Sequence, residues 1–135
     1  MPAKKTTKPK ARKTDDARKF AVAAARLARD DNCEDIVVLD LRGVSPITDY
    51  FVIATGTSDR QMRSVADDIA AAGKKADHKL YKMAGQDSAE WIVMDFVDVV
   101  VHLFDGQRRK YYDLELIWGE APKVRWQGAA KKKED

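Results

Sequence analysis

The sequence predicts an α/β chain of the α+β kind, a mixed five-stranded sheet with helices packed on it. Three observations carry that prediction. Residues 36–41 and 50–55 are near-continuous runs of β-branched and apolar residues, as strands covered on both faces require. Residues 59–76 repeat apolar side chains at helical spacing. Residues 90–96 and 99–104 form two further strand-like runs.

Taken in order, a first helix begins near Thr14 to Asp16, where acids suit the positive end of the helix dipole. Phe20, Ala24 and Leu27 share one of its faces, and it ends near Asp31 and Asn32. A strand over Ile36–Leu41 is broken at Pro46, which has no amide hydrogen to give a ladder. A second strand runs Tyr50–Thr55. Ser58, followed three residues later by Gln61, fits a capping box that opens the second helix. That helix faces inward with Met62, Val65, Ile69 and Ala72 and weakens at Gly73. His78–Met83 reads as a weaker strand, followed by strands at Glu90–Phe96 and Val99–Phe104. A tight turn between the last two is unusual without glycine or asparagine. A third helix over Arg108–Trp118 stops at Gly119 and Pro122. The order α-β-β-α-β-β-β-α, with strand-helix-strand units, favours a parallel crossover.

The 135 residues suffice for one modest domain. No run of about 18 apolar residues is present for a membrane span. The N-terminal stretch has charge but no following apolar segment, so it does not read as a secretory signal. A single cysteine, Cys33, excludes an internal disulfide framework. These features point to the cytoplasm. Charge is unevenly placed. Lys4, Lys5, Lys8, Lys10, Arg12 and Lys13 give residues 1–14 a charge of +6, which leaves −3 on the rest of a chain of net +3. The expected division is a disordered basic tail over 1–14, a folded domain over 15–120 and a flexible C-terminal extension over 121–135. The tail is either a solvated extension or a salt-sensitive, phosphate-binding arm.

Candidate chemistry centres on residues 91–106. By strand alternation Trp91, Val93 and Asp95 share one face of their strand, and Val100, His102 and Phe104 share one face of the next. Asp95 and Asp98 are three apart, so on a continuous strand they point to opposite faces, which a two-metal carboxylate site does not want. His102, alone on an apolar strand, reads as a hydrogen-bonded structural residue before a base or ligand. Cys33, His78 and His102 show no ligand spacing, so neither a metal nor a cofactor is expected. Cys33 reads as an inert thiol. Gly56-Thr57-Ser58 before a helix raises a phosphate site, but it lacks the lysine and second glycine of a P-loop, and Asp59 repels an anion. Ser58 is sufficiently explained as a cap. Trp91 is either a core residue or an exposed anchor, and Lys79, Tyr81 and Met83 extend the same patch into a protein-docking surface. An exposed strand edge also permits a homodimer when the protein is free.

Three ordered blocks, "ITDYFVIATGTSDRQMRSVADDI" (47–69), "GQDSAEWIVMDFVDVVVHLF" (85–104) and "RRKYYDLELIWG" (108–119), closely resemble the ribosomal silencing factor family, also called Iojap. The resemblance runs from about Asp16 to Gly119. It implies a non-enzymatic protein that binds the large ribosomal subunit at ribosomal protein fourteen and blocks association with the small subunit. It also implies a nucleotidyltransferase-like framework without the metal-binding acids. The rival reading is a magnesium-dependent nucleotidyltransferase-like enzyme using Gly56, Ser58, Asp95 and Asp98. On the resemblance, Trp91, Asp95, Asp98, Val101 and His102 match the motif run and are expected to bind the partner, with Trp91 at the interface and, once the family is assumed, the basic tail able to touch ribosomal RNA. Tyr112, Leu114, Glu115 and Trp118 match a mainly structural end block. Gly56, Ser58, Arg60 and Gln61 match the turn and cap. Many members have glycine where this chain has Val97.

Overall fold

The first helix, α1 (Thr14–Asp30), buries a stripe made almost wholly of alanine: Ala17, Ala21, Ala24, Ala25 and Ala28, with Phe20 its one large member. Side chains this small let the helix lie close to what it covers. Leu27, expected on the stripe, sits at its margin. The helix ends in a left-handed residue, Asn32 at φ 74°. The Cys33 amide donates to the Ala28 carbonyl and the Asn32 amide to the Arg29 carbonyl, both at 2.9 Å, the paired bonds of a Schellman end. This computed structural model describes residues 14–106 and 121–127. The expected third helix and the basic tail lie outside them.

β1 (Glu34–Asp40) and β2 (Tyr50–Thr55) pair antiparallel, with Val38 opposite Val52. β1 is irregular between Glu34 and Val37, where Asp35 takes a φ of 48°. α2 (Asp59–Lys75) follows, then β3 (Lys82–Ala84), β4 (Trp91–Asp95) and β5 (Val99–Phe104). The sheet order is β1-β2-β5-β4-β3, with β2 and β5 parallel and every other neighbour antiparallel. The sheet is therefore mixed and five-stranded, as expected. The chain reaches the far edge after α2 and folds back, so the parallel partner of β2 is β5, two strands later than the simplest crossover gives.

β3 is shorter than the sequence suggested. The His78 amide is held by the Gly73 carbonyl at 2.7 Å, and its ring stacks on Phe20 at 4.9 Å. Residues 78–80 are thus tied to the helices, and pairing begins only at Lys82. Gly73 is a packing requirement as well as a weak helix former. A Cβ there would lie 2.5 Å from the His78 carbonyl oxygen and 2.8 Å from the Phe96 ring.

Both helices cover one face of the sheet, burying Val38, Val52, Ala54, Ile92, Met94, Val99, Val101 and Leu103 against Phe20, Met62, Val65 and Ile69. Burial of each valine, leucine, isoleucine, methionine or phenylalanine among them favours the fold by about 1.5–3 kcal/mol before entropy. A second cluster on the other face gathers Leu39, Leu41, Ile53, Phe104 and Ala121, flanked by Val37, Phe51 and Trp91.

Residues 121–127, expected within a flexible extension, instead lie along β1. The Asp40 amide donates to the Pro122 carbonyl and the Val124 amide to the Val38 carbonyl, each at 2.8 Å, around a Leu39–Lys123 bridge. β1 is an edge strand with unpaired backbone groups, and this segment satisfies part of that row. Arg26 Nε donates to the Trp126 carbonyl at 2.7 Å and fastens the segment to α1. No helix among the described residues is long and apolar enough to cross a membrane.

Candidate functional site

The antiparallel register of β4 and β5 sets Trp91 across from Phe104, Val93 across from His102 and Asp95 across from Val100. Period-two alternation along each strand, joined by this register, brings Trp91, Asp95 and His102 to one face of the sheet. The Trp91 indole stacks on the Phe104 ring at 4.9 Å. Its Nε1–H donates to His102 Nδ1 at 3.1 Å. Phe51, from β2, meets the His102 ring edge-on at 4.5 Å. Trp91 itself is half-buried, so part of the indole stays open to solvent.

His102 is only 7% exposed. Burial pushes its pKa down to about 4, so the ring is neutral at physiological pH. Accepting at Nδ1 puts the proton on Nε2. Asp95 is partly exposed; its Oδ1 accepts from the Val97 amide at 2.7 Å, and across the strand pair it faces Lys82.

The turn after Asp95 is tight despite lacking glycine and asparagine. The Asp98 amide donates to the Phe96 carbonyl at 3.0 Å, and the Phe96 amide to the Val99 carbonyl at 2.8 Å. Val97 supplies the left-handed conformation at φ 80°. Asp98 lies in the turn, where its carbonyl accepts from the Asp49 and Tyr50 amides at 3.0 and 3.1 Å and joins the turn to β2.

Other expected members fall elsewhere. Val101 is fully buried on the helix-covered face and cannot meet a partner in this arrangement, because alternation sets it opposite His102. Met83 pairs with Met94 and packs toward the helices. Tyr81 is 73% exposed and joins the sheet through its amide, which donates to the Asp95 carbonyl at 2.8 Å. Lys79 is exposed and precedes the strand. The β3 residues opposite Asp95 and Val93 are Lys82 and Ala84, so these two, with Trp91, carry the patch.

The turn before α2 behaves as a cap. Ser58 Oγ accepts from the Gln61 amide at 3.0 Å. The reciprocal bond is displaced by one residue: Gln61 Oε1 accepts from the Thr57 amide at 2.9 Å. Gln61 Nε2 also donates to the Asp31 carbonyl at 2.8 Å, tying α2 to the end of α1. Gly56 is required because a Cβ would sit 2.1 Å from Met62 Cγ. Arg60 is exposed. Cys33 is buried, which pushes its thiol up to about 11 and keeps it protonated. Among the described residues no three His, Cys, Asp or Glu side chains are grouped to hold a metal. Tyr112, Leu114, Glu115 and Trp118, and the six basic tail residues, lie outside the described residues.

Two residues that sequence reasoning missed shape the approach to Trp91. Arg63, on α2, donates from Nε to the Gln86 carbonyl and from Nη2 to the Asp87 carbonyl, both at 2.8 Å, and pins the loop before β4. Gly85 takes a φ of 91°, and a Cβ there would lie 1.9 Å from the Trp91 carbonyl oxygen. The glycine was a visible signal; the long-range arginine contact had none.

The family described as "Ribosomal silencing factor during starvation" matches residues 14–135. The Bacillus subtilis protein named ribosomal silencing factor RsfS is 42% identical over 99 residues, covering 73% of this chain and 84% of its own. A mouse protein named for mitochondrial assembly of the ribosomal large subunit is 35% identical over 95 residues, covering 68% of this chain and 42% of its own. A crystal structure of a Chromobacterium violaceum protein superposes with a TM-score of 0.72 at 30% identity, covering 92% of this chain and all of that one. On this sequence and fold evidence, the chain belongs to the ribosomal silencing factor family.

Proposed function

We propose that this protein is a translational repressor that binds the large ribosomal subunit at ribosomal protein fourteen and blocks association with the small subunit. The observation that carries the reading is the half-open Trp91 indole, set on Phe104 and hydrogen-bonded to His102 at the head of β4. Indoles backed by a rigid apolar platform lose little entropy on docking and dominate binding hot spots. Asp95 and Lys82 supply charge at the rim of the same face. Asp98, in the adjoining turn, adds a carboxylate. The printed names of the relatives support a ribosomal partner.

The mechanism needs no bond to be made or broken, only bulk occupying the subunit interface. Asp95 serves the turn through Val97, and the chain acts without a catalytic step. Residues 15–135, net −3, complement a basic ribosomal protein, which speeds and orients docking. The lysines and arginine of residues 4–13 add salt-sensitive contacts to ribosomal RNA. The protein works in the cytoplasm, and free copies pair through an exposed strand edge.

Co-sedimentation with purified large subunits tests the reading. Wild type is expected to bind, and Trp91→Ala to bind at least ~10-fold more weakly, a loss of ~1.4 kcal/mol. Wild type that stays in the supernatant ends the proposal. A folded Trp91→Ala protein that binds normally moves the interface off this face.

A further inference from the structure

His102 is built unlike a contact residue. At 7% exposure it offers almost no surface to a partner. Its hydrogen bond runs sideways, to the Trp91 indole at 3.1 Å. Its other nitrogen, Nε2, carries the proton and is buried with no hydrogen-bond partner among the described residues. The ring thus aims its one acceptor nitrogen at Trp91.

That acceptor supplies what stacking cannot. Contact with Phe104 fixes the plane of the indole, but ring stacking is weakly directional within the plane. A linear N–H···N bond selects one edge of the indole. The imidazole is itself held by Phe51 edge-on and by its place between Ile53 of β2 and Val93 of β4. We propose that His102 is a positioning residue that fixes the Trp91 indole in the orientation in which it meets its partner, without touching the partner. This rests on the reading that Trp91 lies in the ribosomal interface.

The test uses the full chain labelled with nitrogen-15 in tryptophan and histidine. The Trp91 indole resonance is identified by its loss in Trp91→Phe. Wild type is expected to show scalar coupling across the hydrogen bond between Trp91 Nε1 and His102 Nδ1, a measurement that needs no variant to fold. In His102→Leu the indole proton should shift and exchange with solvent at least ~10-fold faster, and subunit binding should weaken with it. His102→Gln, whose amide oxygen can accept, should restore part of both. Absence of the coupling in wild type overturns the proposal, as does a folded His102→Leu protein with an unchanged indole resonance and exchange rate. If the indole stays fixed in His102→Leu while Trp91→Ala still abolishes binding, only the positioning role fails. If the indole is disturbed yet both variants bind normally, the interface reading fails and takes this role with it.

Discussion

Val97 holds a φ of 80°, a region that β-branched side chains strongly avoid. The turn imposes it, because Asp98 must reach back to the Phe96 carbonyl while the Asp95 carboxylate grips the Val97 amide. Val97→Gly should remove that strain and raise the unfolding free energy by roughly 0.5–1 kcal/mol, after the extra backbone entropy of glycine is subtracted. Urea denaturation at neutral pH measures it, and a lower midpoint would refute it. His102 makes a second prediction at this scale. Unfolded, an imidazole titrates near pH 6.5, whereas in the folded protein His102 titrates near 4. Between these values the unfolded chain binds the extra proton, so stability is complete above about pH 6.5 and falls as the pH drops toward 4. The full gap corresponds to roughly 3 kcal/mol. The pH-stability curve of His102→Leu, subtracted from that of wild type, should isolate this step; a flat difference would remove it.

The loop between β3 and β4 shows how elements, and not only residues, set the site. It is clamped from α2 by Arg63 and packed so closely at Gly85 that no Cβ fits. Gly85→Ala should therefore destabilise by at least about 2 kcal/mol, since it combines left-handed strain with a backbone clash. It should also weaken subunit binding by displacing Trp91; an unchanged melting temperature would show that the loop relaxes freely. Much of this level could be read in advance. The Ser58 cap, both helices and the strands β1, β2, β4 and β5 follow from spacing and alternation, as do the faces that Trp91 shares with Asp95 and His102 with Phe104; that the two faces coincide follows from the register. β3 could not be read so well. Only three of its residues pair, and the stacking of His78 on Phe20 that delays the strand is a tertiary contact invisible in a local window. The register, which sets Lys82 opposite Asp95 and Met83 opposite Met94, is why Lys82 and Ala84 replace Tyr81 and Met83 on the patch. Motif position places Val101 among the partner-binding residues, whereas alternation alone sends it to the core.

At the scale of the whole molecule the edge strand β1 needs a cover, and residues 121–127 provide one. Trp126 carries most of that attachment: it is 9% exposed, belongs to the main core cluster and holds Arg26 through its carbonyl. The Arg29 guanidinium lies 5.7 Å from the centre of its ring, within cation–π range. Removing a large buried aromatic side chain costs about 3–5 kcal/mol, and a site at the sheet edge that can collapse belongs at the low end. Trp126→Ala should accordingly lower the melting temperature by roughly 10 °C for a chain of this size. The backbone bonds of Pro122 and Val124 remain available in the variant, but without the indole their segment loses its anchor. Hydrogen exchange should then quicken at the two amides that report the attachment, Asp40 and Val124, well before the amides of β2 and β5 respond. Trp126 packs in the cluster on the helix-covered face, whereas Trp91 rests on Phe104 and His102 on the other, so Trp126→Ala protein that remains folded should keep its affinity for large subunits. A matching loss of binding would mean that the cover over β1 and the Trp91 patch act as one surface.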